Sequence, residues 1–108
     1  MRRYTIQSGT TFDRNQHTMN LTREDIRYRV ETAAQALGIT GYTLTFTIGS
    51  WLNPETGQYF HEDGIQVEVI EVNLFAERAR RFAGDIRDSF EQAAVLFYSQ
   101  EVQHSELV

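Results

Sequence analysis

Alternating and helical periods divide the chain into six elements. From Arg3 to Ser8, Tyr4, Ile6 and Ser8 alternate with Arg3, Thr5 and Gln7, the period of two expected of a strand with one covered face. Ser8 to Asn20 is polar and aperiodic, a long connection for so small a domain and of a kind often used for function. Thr22 before Arg23-Glu24-Asp25 offers a hydroxyl cap and acidic residues at the positive end of a helix dipole, so a helix is predicted to start there. Ile26, Val30, Ala33, Ala34 and Leu37 share one face of that helix, and Gly38 supplies a left-handed stop. Tyr42 to Ile48 is the clearest strand, with Leu44, Phe46 and Ile48 opposed to Thr43, Thr45 and Thr47. Asn53 to Gly57 is a turn signal flanked by Trp51-Leu52 and Tyr59-Phe60, which predicts a hairpin with a projecting aromatic tip. Ile65 to Val72 is the next strand, setting Ile65, Val67 and Val69 against Gln66, Glu68 and Ile70. Asn73 then offers a cap for a second helix whose apolar stripe is Phe75, Ala79, Phe82, Ala83, Ile86 and Phe90. Ala93 to Val102 is apolar enough for a last, well-buried strand, followed by a polar tail from Gln103.

This order predicts an α+β, ferredoxin-like βαββαβ sandwich: a four-stranded antiparallel sheet with both helices on one face, and residues 1–108 as a single domain. The helices should cover Leu44, Phe46, Ile48, Val67 and Val69. Thr43, Thr45, Thr47, Gln66 and Glu68 then lie on the other face, polar but almost uncharged, as suits a wet or ligand-bearing interface between subunits. A chain of 108 residues offers one modest core, so a sizeable site is expected between subunits rather than inside one.

Composition narrows the chemistry. The chain has no Cys, which removes thiol nucleophiles, Cys-ligated zinc and disulfides, and all ten of its basic side chains are Arg, which removes Schiff-base and P-loop lysines. A formal net charge of -5 repels nucleic acid and anionic membranes and favours a cationic small molecule as guest. The longest apolar run, Ala93 to Tyr98, is far too short to span a bilayer, and no apolar signal segment follows Met1-Arg2-Arg3, so a soluble, cytoplasmic protein is expected. His17, His61 and His104 are scattered without metal-ligand spacing, and no nucleophile elbow or phosphate-binding glycine loop occurs, so neither metal nor cofactor is expected.

Glu68 is the one ionisable residue within the central strands on the polar face, a fixed carboxylate for a cation; the plainer reading is a solvated or Arg-paired surface Glu. The stretch Tyr59, Phe60, His61, Glu62 and Asp63 mixes aromatic rings and acids in what reads as a loop beside Glu68, a combination suited to binding a cation. Trp51 and Phe60 equally suit cross-strand packing that pins the turn.

The run Ile65-Gln66-Val67-Glu68-Val69, the helix end Phe90-Glu91-Gln92, the strand Val95-Leu96-Phe97-Tyr98-Ser99-Gln100 and the tail Leu107-Val108 together resemble the phage-encoded S-adenosylmethionine (SAM) lyases, earlier described as SAM hydrolases. A looser similarity in glycine and turn spacing runs from Gly38 through Asp63. The resemblance implies a homotrimer with a fold similar to PII signalling proteins, sites at subunit boundaries, and conversion of SAM, the substrate and not a cofactor, to methylthioadenosine and homoserine lactone. A phage origin would place the protein in the host bacterial cytoplasm. Glu62-Asp63 is the nearest match to an acidic pair of that family, while Glu68 is chosen on physical grounds to hold the substrate's amino group, with Tyr59 or Tyr98 orienting it and Trp51, Glu62 and Asp63 completing the binding set. The alternative is a non-catalytic PII-like protein that binds a nucleotide or metabolite.

Overall fold

The computed structural model describes residues 1–71, 74–103, 106 and 108, with the backbone alone of Trp51. Six elements follow one another as β1 (Arg2–Gly9), α1 (Arg23–Ala36), β2 (Tyr42–Leu52), β3 (Tyr59–Val69), α2 (Ala76–Ser89) and β4 (Leu96–Glu101). The strands form one antiparallel sheet in the order β2-β3-β1-β4. This is the expected α+β ferredoxin-like arrangement.

One face of the sheet carries the core. Tyr4 and Ile6 of β1 and Ile65, Val67 and Val69 of β3 are buried together with Ile26, Val30, Ala33 and Ala34 of α1 and Ala79, Phe82, Ala83 and Ile86 of α2. Alternation in the strands and the helical stripes therefore meet in one apolar layer. Thr22 caps α1 in a reciprocal box: its hydroxyl accepts from the Asp25 N–H at 3.1 Å, and the Asp25 carboxylate accepts from the Thr22 N–H at 2.9 Å. At the other end the Ile39 N–H reaches the Ala34 carbonyl and the Gly38 N–H the Gln35 carbonyl, with Gly38 at φ 67°. That paired C-terminal stop needs a left-handed residue, which glycine adopts without strain.

Four expectations change. The stretch from Tyr59 to Asp63 is ladder rather than loop, because β2 and β3 stay paired from Tyr42↔Val69 out to Leu52↔Tyr59 and extend past the helices as a two-stranded arm. Ile48 lies on that arm and is 78% exposed instead of covered. Phe75 stands at the N-cap position of α2, 77% exposed and outside the apolar stripe, and makes no side-chain cap bond; Asn73, the expected cap, and Val72, the expected end of the preceding strand, lie outside the described residues. The last strand is the shorter segment β4 and is mostly exposed, since its place beyond β1 at the sheet edge leaves only Phe97, stacked on Tyr4 at 5.9 Å, to pack on the core.

Candidate active site

Register decides which polar side chains meet on the uncovered face. Glu68 pairs with both Thr43 of β2 and Thr5 of β1, and Thr5 pairs with Tyr98 of β4, so Thr43, Glu68, Thr5 and Tyr98 form one row across the sheet. Tyr98 thus shares Glu68's face, two strands away or about 10 Å. The next row is Thr45, Gln66, Gln7 and Leu96, in which the Gln7 amide donates to Gln66 Oε1 at 3.0 Å. Beyond it Gly9 pairs with Gly64, and Gly64 with Thr47. Glu62 opposite Gly49 follows on the same face, then Phe60 opposite Trp51. An open trough of about 410 Å³ lies over the glycine row, bounded by Gln7, Leu96 and Glu62.

Glu68 is half-buried and has Arg3 Nε at 3.9 Å, while the Arg3 guanidinium also donates to Gln100 Oε1 at 3.0 Å. The carboxylate therefore has a loose cationic neighbour on β1. Tyr59, His61 and Asp63 alternate onto the opposite face, and Tyr59 stands nine positions from Glu68 along β3. At about 3.4 Å per residue the two are roughly 30 Å apart, so one protomer does not bring them together. Glu62 shares Glu68's face but stands six positions along the strand. The Trp51 side chain lies outside the described residues.

Asp63 lies between two clefts. Its backbone is tied to the long loop, the Thr10 N–H donating to its carbonyl at 3.0 Å and its own N–H to Thr11 Oγ1 at 2.8 Å. A second cleft of about 350 Å³ opens on its helix side, lined by threonines of the loop, Arg23 and Phe46, with the Arg23 guanidinium 4.6 Å above the Phe46 ring. The loop itself is ordered by Asp13, whose carboxylate accepts the Asn15 and His17 N–H groups; the hydrogen bond from His17 and then that from Asn15 hold its pKa below the usual carboxylate value. Gln92 clamps the loop from outside, its amide donating to the Phe12 carbonyl at 2.7 Å and the Phe90 carbonyl at 2.8 Å. Among the described residues no group of three or more His, Asp or Glu side chains is placed to hold a metal ion, and His61 Nδ1 instead meets Ser50 Oγ at 2.7 Å.

The sequence puts Glu68 on the polar face and offers Tyr98 as its partner without fixing Tyr98's face, and it shows neither Arg3 beside Glu68 nor the glycine-floored trough. Both arise from pairing between distant segments. The only local signal for them was the polar residue Gln7 inside a strand.

No protein-family model matches the chain, and no curated protein matches it by sequence. Solved structures do. A phage SAM lyase in complex with S-methyl-5'-thioadenosine superposes with a TM-score of 0.67 at 17% identity, covering 93% of this chain and 80% of that one. A phage SAM lyase in the apo state gives 0.65 at 20% identity, covering 97% and 92%. The B. subtilis GlnK-ATP complex gives 0.56 at 10% identity, covering 92% and 82%. The chain thus has the α+β fold that these phage SAM lyase structures share with a PII protein.

Proposed function

We propose that the protein cleaves SAM to methylthioadenosine and homoserine lactone at sites between the subunits of a homotrimer in the cytoplasm. The observation that carries this reading is the fold likeness, over nearly the whole chain, to a phage SAM lyase holding S-methyl-5'-thioadenosine. The polar face with its two spaced carboxylates, Glu62 and Glu68, supports a cationic substrate.

The reaction asks little of the protein's own groups. The substrate carboxylate oxygen attacks the γ carbon, the C–S bond breaks, and its electron pair stays on sulfur as a neutral thioether, so no proton moves and no protein nucleophile takes part. Carboxylate and sulfonium both lose charge toward the transition state, which a partly desolvated site favours over water. Folding the methionyl chain onto itself is the main task. Glu68 holds the α-ammonium, Tyr98 orients it within the same face, and Tyr59, with Glu62, Asp63 and Trp51, reaches a site from a neighbouring protomer. A strong grip on the sulfonium would oppose reaction, so the anionic contact belongs at the ammonium.

Chromatography of protein incubated with SAM tests the activity, and oxygen-18 water tests the route. Lactone without label, appearing first, is expected; homoserine labelled at its side-chain oxygen before any lactone would show direct attack by water. Glu68→Gln should lower turnover at least about tenfold, since a charge-assisted hydrogen bond is worth about 1.5–3 kcal/mol. Full activity in that variant, with loss in Glu62→Gln or Asp63→Asn, would move the ammonium to the acidic pair. The second reading, a non-catalytic nucleotide or metabolite binder, is favoured by the likeness to the GlnK-ATP complex, and binding without product would select it.

A further inference from the structure

We infer that the cleft lined by Arg23 and Asp63, on the helix side of the arm's base, binds a small zwitterion: a free α-amino acid with an apolar side chain, its carboxylate on Arg23 and its ammonium on Asp63. The site stands apart from the SAM reading, because it lies on the face opposite Glu68 and Tyr98.

Two opposite charges line this cleft of about 350 Å³ without meeting. Arg23 stands in the first turn of α1 with its guanidinium 4.6 Å above the Phe46 ring, and Asp63 lies opposite Ile48 at the foot of the arm. Among the described residues neither side chain has a partner of opposite charge within ion-pair distance, and the Asp63 carboxylate accepts no hydrogen bond. The acids beside Arg23 are engaged elsewhere: Glu24 lies 4.0 Å from Arg27, and Asp25 accepts the Thr22 N–H in the capping box. One cation and one anion in the same lining select a ligand carrying both signs. A dianion such as phosphate gains Arg23 but is repelled by Asp63, and a simple cation meets the reverse.

The walls stand ready for it. The Thr10 N–H donates to the Asp63 carbonyl at 3.0 Å and the Met19 N–H to the Thr11 carbonyl at 2.9 Å, while Phe12 bridges Thr18. The loop side is therefore fastened both to β3 and to itself. Leu21, Phe46 and Ile48 line the remainder with apolar surface, and an apolar side chain laid there would cover the exposed Ile48. Small-molecule sites join such preformed apolar surface to a few converging polar groups, and this volume lies at their lower end, the size of a free amino acid rather than a peptide.

Titration of the full chain with L-leucine, followed by amide NMR shifts, tests this. Leucine should bind with a Kd on the order of 0.1–1 mM and move the Thr10, Thr11 and Ile48 amides. L-Leucinamide keeps the ammonium without the carboxylate, and N-acetyl-L-leucine the carboxylate without the ammonium; each should bind at least about tenfold more weakly. Arg23→Gln should erase the preference over leucinamide, and Asp63→Asn that over N-acetylleucine, because each variant removes the partner of one group only. No shift with about 10 mM leucine, equal binding of the three compounds, or tighter binding of inorganic phosphate overturns the assignment even if a variant fails to fold. Excess S-adenosylhomocysteine should leave the leucine titration unchanged. Competition between the two would put leucine in the methionyl part of a SAM site and overturn the cleft as a separate one.

Discussion

Arg3 stands 3.9 Å from Glu68, and that spacing sets how strongly the carboxylate can hold a second cation. Both side chains are partly solvated, so water and salt screen the pair and its worth is about 0.2–1 kcal/mol. A substrate ammonium held at Glu68, as proposed, would share the carboxylate with the guanidinium. Arg3→Gln is therefore expected to lower KM for SAM about twofold to fivefold with kcat little changed, read from initial rates. A raised KM would show Arg3 holding the substrate carboxylate instead. Glu91 presents a different residue-scale tension. It ends α2 at φ 49°, a left-handed position where glycine is preferred, while its N–H and that of Gln92 close the helix onto the Asp88 and Arg87 carbonyls. Relief of about 1–2 kcal/mol of left-handed strain, less the added freedom of glycine in the unfolded chain, leaves Glu91→Gly more stable by about 0.5–1 kcal/mol in urea melts.

At the scale of elements, α1 was legible because every signal it needs lies within a few residues. Thr22 and Asp25 close the capping box three positions apart, and Thr22→Ala should cost about 1 kcal/mol of unfolding free energy. Hydrogen bonds from Thr22, first from its backbone N–H and then from its side chain, hold the Asp25 carboxyl below its ordinary value of 3.8. A depressed folded-state pKa stabilises the fold above the unfolded value and loses that contribution as pH falls through the folded one, so Asp25→Asn should flatten the acid side of the stability profile below 3.8. An unchanged acid slope would show that other carboxylates, Asp13 among them, govern it. β4 was misread for the opposite reason: its apolar run gives period and length, but its exposure follows from lying outside β1, which only the strand order determines. Tyr59 to Asp63 looked like loop because the arm has no core on either face to impose an alternation. The candidate site divides in the same way. Thr43, Thr45, Gln66 and Glu68 were readable as one face, whereas the Arg3 contact and the Gly9–Gly64 register join chain segments that no local pattern connects.

The whole molecule is long for its size. A compact chain of this length has a radius of gyration of about 13 Å, against 15.1 Å here with principal extents of 49 × 28 × 25 Å. The paired arm beyond the helices contributes to the excess, and it carries Ile48, Leu52 and Tyr59 exposed to solvent. A two-stranded ribbon with apolar side chains exposed is marginal by itself in water. The uncovered sheet face has a complementary need, being polar, with Arg3, Glu62 and Glu68 as its charged groups and with Leu96 and Tyr98 exposed on its β4 edge. Packing the arm of one copy against a neighbour's sheet edge would satisfy both and place the distant Tyr59 near another protomer's Glu68. Light scattering is accordingly expected to give three times the 12.5 kDa chain mass. Leu52→Asp, which puts a charge on the arm without touching the core, should shift the protein toward monomer and abolish SAM turnover while the far-ultraviolet circular dichroism is retained. A wild-type protein that stays monomeric at micromolar concentration, or a monomeric Leu52→Asp variant with full turnover, would confine the site to one chain and leave Tyr59 without a part in it.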